Sequence, residues 1–291
     1  MLIFLVVFGL GGVLSTTAQA SSKAFYTLDE GVTFEVVDGA AVKLDLARPS
    51  AETGPSPVVI YLVGDGWGYA EMGRASDSIE IRLAARHGYI GVAADYRAAR
   101  RQPDGTFKNT FPAQINDVKA AVRWLRANAA KYNIDPDHIG VAGYSSGGHL
   151  ALLAGLTAPS DGLEGSGGNM EYSSRVQAVA SSCGPTDLTY SYLHGLRDEV
   201  GALKGAPPDQ ALDAYKSASP VSHVTADAPP ILQLHGKYDM MVEMAEAEQL
   251  DKELQAAGVP SSLVVKNGAH GDWRLDPVVW SFLDKYLRGQ R

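Results

Sequence analysis

IGVAGYSSGGHLALLAG, residues 139–155, contains the run Gly143-Tyr144-Ser145-Ser146-Gly147, a G-x-S-x-G pattern. Its setting decides the fold. Ile139–Ala142 reads as a short buried strand and His149–Leu156 as an Ala- and Leu-rich helix. Strand, tight turn and helix are the context in which this pattern lifts a serine onto a strained backbone above a sheet. The flanking glycines leave room for that turn. Ser145 would stand at the helix N-terminus, where the dipole favours developing negative charge. Without the strand and helix the same five residues would be only a Gly/Ser helix cap. Ser145 is therefore the candidate nucleophile. Ser146, inside the first helical turn, offers a backbone N–H rather than a second nucleophile.

Outward from the elbow the chain alternates strands and helices. Thr33–Val37 and Val42–Leu46 form a hairpin about Asp38-Gly39. Val58–Val63, Tyr89–Ala94, 176–182, Ile231–Leu234 and Ser261–Val265 read as strands. Helical spacing covers Ser78–His87, Ala113–Tyr132, Met244–Ala257 and Pro277–Tyr286. Such alternation predicts a mainly parallel sheet with helices on both faces, and ligands beyond the carboxyl ends of its strands. Asp161–Asn169, rich in Gly and Ser, reads as a flexible surface loop. Thr189–Ser219 reads as an irregular, partly helical cap.

A serine nucleophile needs a base, and the base an orienting acid. His270 lies on a glycine-flanked loop after the last strand, where the base belongs. His149 packs on the helix after Ser145, and His235 shapes the loop after its strand. Asp239, on that same loop, gives the chain order Ser145, Asp239, His270, the order found with this elbow. Asp187 competes for the acid's place. Asp272 is too close to His270 in sequence to face its ring.

The chain has 291 residues, a net charge of −8 and one cysteine. The negative charge argues against nucleic acid as a partner. Residues 1–20 carry an apolar stretch and then Ala18-Gln19-Ala20, a small-x-small site, and are read as a cleaved leader for secretion or the periplasm. Residues 21–291 then form a single domain. Cys183 reads as a buried strand residue with no nucleophilic role. No His/Cys/Asp spacing calls for a metal, and the chemistry needs no cofactor.

With these motifs in hand, the chain resembles the α/β-hydrolase fold. More narrowly, it is similar to the bifunctional feruloyl and acetyl-xylan esterase group, near the hormone-sensitive-lipase-like carboxylesterases. The resemblance rests on DGAAVKLDLARP, GVAADYR, the long segment 111–151, CGPTDL, SASPVSHVTADAPPILQLHGKYD and the loop through His270. It implies the triad Ser145, Asp239 and His270. It also implies an ester substrate, often a short acyl group on a carbohydrate. Prolyl-oligopeptidase-type peptidases share fold and triad but usually carry a propeller. A hydrolase relative that binds ligand without turnover is the reading from another class.

One stretch departs from that family. Where it normally carries His-Gly-Gly-Gly-Trp, this chain has Val63-Gly64-Asp65-Gly66-Trp67. The resemblance makes the N–H groups of Ser146, Gly66 and Asp65 the oxyanion donors, and Trp67 and Tyr144 substrate-binding residues. A carboxylate ~5 Å from the oxyanion would cost roughly 3 kcal/mol at an effective dielectric of ~20, about two decades in rate. Either Asp65 turns out of the pocket and is paired, with Arg97 at the end of the next strand as its expected partner, or the site is slow or does something else.

Overall fold

Asp38 and Gly39 both take positive φ, 50° and 77°, as a two-residue hairpin turn requires. They join strands β1 (Tyr26–Val37) and β2 (Ala40–Pro49), antiparallel with Val37 opposite Ala40. Both strands run longer than their apolar cores suggest, because the polar flanks find ladder partners. The computed structural model describes residues 25–50, 54–68 and 79–289, so the leader read at 1–20 lies outside the described residues.

The other sheet strands are β3 (Ser56–Leu62), β4 (Ile90–Ala94), β7 (Ile134–Tyr144), β8 (Ala178–Ser182), β9 (Ile231–Gly236) and β10 (Ser261–Lys266). A two-residue pair, β5 (Arg100–Arg101) and β6 (Phe107–Lys108), forms a small separate hairpin absent from the sequence reading. The main sheet has the order β1-β2-β4-β3-β7-β8-β9-β10. β2 meets β4 antiparallel, and every pairing from β4 to β10 is parallel.

Strand β3 shows why the sheet is covered on both sides. Val58, Ile60 and Leu62 enter one apolar cluster, with helices α2 (Ala113–Ala127), α4 (Ser146–Leu156) and α8 (Met244–Ala256). Val59 and Tyr61 point the other way, to α1 (Ile79–Arg86) and α9 (Pro277–Leu287). Alternate side chains fall on opposite faces, so a strand buried on both reads as an unbroken apolar run. The parallel strands bring the loops at 63–67, 145, 183, 239 and 270 to one rim.

Two expectations about local structure are corrected. The helix read over 113–132 breaks at Asn128, whose side-chain amide donates to Trp124 O at 2.9 Å, and a short α3 (Ala129–Tyr132) follows. The segment 161–169 is pinned rather than flexible. Leu163 is buried. Glu164 accepts from Lys119 Nζ at 2.6 Å and Arg123 Nη1 at 2.9 Å, both on α2 and both almost wholly buried. Gly- and Ser-rich flanks hide such a pinning carboxylate from a composition-based reading. Removing one partner of a buried ionic group leaves the others uncompensated. Glu164→Ala is therefore expected to lower stability by about 3–5 kcal/mol, measured as a fall in the urea midpoint.

The cap is three short helices, α5 (Leu188–Leu193), α6 (Arg197–Lys204) and α7 (Pro208–Ser217). α5 begins at Asp187, whose carboxylate accepts the N–H groups of Thr189 and Tyr190 as an N-cap.

Candidate active site

Ser145 ends the turn between β7 and α4 with φ 53° and ψ −122°. A side chain is strained there, and the surrounding contacts hold it. The crowding is backbone against backbone: a Cβ on Gly143 would strike Gly147, and one on Gly147 would strike Leu62 O. Larger residues at either position would force the elbow open.

Ser145 Oγ lies 3.0 Å from His270 Nε2, and His270 Nδ1 lies 2.7 Å from Asp239 Oδ2. The second carboxylate oxygen of Asp239 accepts from the N–H groups of Met241 and Val242, at 2.9 and 3.0 Å. Burial pushes the Asp239 pKa up. The bonds from His270, the Val242 N–H, Cys183 and the Met241 N–H outweigh it and hold the pKa at about 2. Asp239 is thus an anion at neutral pH, facing His270. Asp187 caps α5, and Asp272 is bound by Arg274 at 2.6 Å. The structure brings Ser145, His270 and Asp239 together and leaves the two competing acids elsewhere.

The remaining site residues divide. Tyr144 packs its ring against that of His270, centroids 5.1 Å apart, and so stays at the site. Trp67 does not: it is 1% exposed, takes φ 61°, and its Nε1–H donates to His149 Nδ1 at 3.1 Å. His149 in turn donates from Nε2 to Ala218 O at 2.7 Å. Burial holds His149 down at about 4, so it is neutral and suited to accept on one nitrogen and donate from the other. The expectation that Trp67 binds substrate is corrected. Its positive φ turns the indole under the loop, where it ties the loop to α4 and the cap.

The glycine loop also differs from expectation. Gly64 presses on the elbow: a Cβ there would lie 2.7 Å from Ser145 Cβ. Gly66 instead faces α6, where a Cβ would lie 3.0 Å from Glu199 Cγ. The Asp65 N–H is taken by Ser146 Oγ at 2.9 Å. Of the three donors expected, the Ser146 N–H keeps its place in the first helical turn, where no intrahelical acceptor exists. Asp65 itself lines a cleft with Arg100 and Arg101 of the small hairpin and Asp198 and Glu199 of α6. The expected pairing with Arg97 is not formed. The Arg97 guanidinium binds Asp117 on α2, at 2.7 Å from Nη2 and 3.0 Å from Nε, and its backbone N–H does so too.

Sequence reasoning missed one neighbour of the triad. Cys183, the residue after β8, has φ 48°, and its sulfur lies within 4.8 Å of ligand atoms of both Asp239 and His270. Its position just past a parallel strand was the available signal. Among the described residues these three form a group close enough for a metal. However, Asp239 and His270 already bond each other, and burial pushes the thiol up to about 12. A protonated thiol beside a carboxylate suits hydrogen bonding, not ligation.

A serine elbow at the centre of a mostly parallel sheet, with helices on both faces, defines the α/β-hydrolase fold. Within it, residues 44–254 match the BD-FAE family model, and the chain belongs to that family. The chain is 34% identical over 228 residues to a probable carboxylic ester hydrolase, LipM, of Mycobacterium tuberculosis, covering 75% of this chain and 49% of that protein. Esterase LipC of the same organism is 33% identical over 226 residues, covering 75% and 53%. The chain thus spans about half the length of the curated relatives it matches. Among solved structures, a bifunctional GH43-CE protein of Bacteroides eggerthii superposes with a TM-score of 0.78 at 30% identity, covering 89% of this chain and 38% of that one. A truncated carbohydrate esterase from gut microbiota gives 0.77 at 28%, covering 91% and 95%.

Proposed function

We propose that this chain is a serine carboxylic ester hydrolase acting on short-acyl esters, acetyl or feruloyl groups on carbohydrate among them. The observation that carries the reading is the continuous hydrogen-bond chain Ser145 Oγ, His270 Nε2, His270 Nδ1, Asp239 Oδ2. In the first half-reaction Ser145 Oγ attacks the ester carbonyl carbon as His270 Nε2 takes its proton. The tetrahedral oxyanion forms beside the Ser146 N–H and the loop at Gly64. Collapse breaks the C–O bond to the alcohol, which leaves with the proton from His270. Water then repeats the sequence on the acyl-serine and releases the acid. Asp239 keeps the imidazole in the tautomer with Nδ1–H and stabilises the imidazolium. The carbohydrate part is supported by likeness to the carbohydrate esterase structure.

The test has two arms. A fluorophosphonate probe followed by peptide mapping is expected to place one adduct on Ser145. In parallel, p-nitrophenyl acetate, butyrate and octanoate and a feruloyl ester are compared, with the acetate expected to be cleaved faster than the octanoate. No adduct and no nitrophenol release above buffer would overturn the reading.

A further inference from the structure

The altered glycine loop is held by two buried hydroxyls that the reaction itself does not use. Ser146 Oγ accepts the Asp65 N–H at 2.9 Å. The Tyr96 hydroxyl lies 3.5 Å from Ser146 Oγ and donates to Val63 O at 2.9 Å. The Tyr96 proton is committed to Val63, so the Ser146 proton is the one that bridges the two hydroxyls. The polar chain then runs from Asp65 N–H through Ser146 and Tyr96 back to Val63 O. It leaves the loop at residue 65, crosses the first turn of α4 and the end of β4, and re-enters the loop at residue 63.

Both hydroxyl residues are essentially inaccessible, 1% for Ser146 and 0% for Tyr96. Between the two anchored positions lies Gly64, the residue pressed against Ser145. We propose that Ser146 and Tyr96 are positioning residues for the oxyanion side of the site: their linked hydroxyls fix the 63–65 loop against the Ser145 elbow. This rests on the serine-hydrolase reading above and deepens it.

The hydrogen-bond chain shows why a residue other than glycine can stand at position 65. Any residue but proline supplies an N–H, and it is the Asp65 backbone N–H that Ser146 Oγ binds here. Burial pushes the Tyr96 hydroxyl well above its ordinary range, so it remains a donor at any working pH. A buried hydrogen-bonded network that lacks one member leaves the next unsatisfied, so the parts act as a unit.

The experiment compares wild type, Ser146→Ala, Tyr96→Phe, the double variant and Ser146→Thr on p-nitrophenyl acetate, with thermal midpoints alongside. Each single variant is expected to lose about 10–100-fold in kcat with KM within about twofold, since a transition-state contact is loosened and the ground state is not. The double variant should lose no more than about threefold beyond the worse single, because one chain is broken either way. Ser146→Thr, which keeps the acceptor, should recover most of kcat. Singles that keep kcat within twofold would overturn the proposal, and so would losses that multiply in the double. If Ser146→Ala fails to fold, Tyr96→Phe, which keeps the ring, carries the test alone. A wild type that does not turn over ester would instead sink the serine-hydrolase reading.

Discussion

Ser145→Ala should lower kcat/KM on p-nitrophenyl acetate by at least about 10⁴-fold and leave the fold intact. In the proposed mechanism the variant removes the only atom that forms the acyl bond, and the neighbouring Ser146 cannot replace it. Ser146 Oγ is buried and already bound by the Asp65 amide. His270 Nε2 contacts Ser145 Oγ at 3.0 Å and would meet only water in the variant. Stability should change little, within about 1 kcal/mol, because alanine has the same Cβ in the same strained backbone and Ser145 Oγ sits at a partly exposed surface. Steady-state kinetics and a thermal melt on the same preparation separate the two effects. A fall of less than about 100-fold would remove Ser145 from the nucleophile's role.

The elbow was legible in the sequence because its physics is local. Gly143 and Gly147 are demanded by contacts within a few residues, and strand and helix adjoin them. The chain order of Ser145, Asp239 and His270 follows from a parallel sheet, whose strand ends share one rim. What the sequence did not disclose depends on contacts between distant segments. Trp67 stands in a glycine loop and looks available to a ligand; only its φ of 61° and its bond to His149, 82 residues away, send it into the core. Arg97 was assigned to Asp65 by rim proximity, but Asp117, facing it from α2, offers a bidentate carboxylate. Glu164 looks like one polar residue in a loose loop until α2 presents Lys119 and Arg123 to it. Cys183 was read by its apolar neighbours, although its place just past a strand end puts it on the catalytic rim. The cap-starting role of Asp187 was readable, since an aspartate ahead of a helical run is a favoured N-cap.

Under the proposed mechanism Asp239→Asn should cost about 10⁴-fold in kcat/KM, comparable with removal of the orienting carboxylate in serine hydrolases. The reason lies in the proton on His270. Asp239 Oδ2 accepts from Nδ1 at 2.7 Å, which leaves Nε2 free to take the Ser145 proton. The Oδ1 atom is fixed by the N–H groups of Met241 and Val242, so an asparagine keeps its oxygen there and turns its NH₂ toward the imidazole. Nδ1 must then accept, the ring proton moves to Nε2, and Ser145 loses its base. The same substitution has a pH signature in stability. The folded Asp239 pKa, about 2, lies below the ordinary 3.8. A depressed carboxylate contributes stability that is present above pH ~4 and lost as pH falls toward 2, worth about 2 kcal/mol in all. Urea unfolding at pH 6 and at pH 2.5 should therefore show a gap between wild type and Asp239→Asn that narrows at the lower pH. Asp187→Asn is the matched control. Asp187 caps α5 and has no bond to His270 in its role there, so that variant should keep kcat/KM within about threefold and lose only about 1 kcal/mol or less of stability. If Asp187→Asn proved the more damaging to kcat, the acid assignment would pass from Asp239 to Asp187.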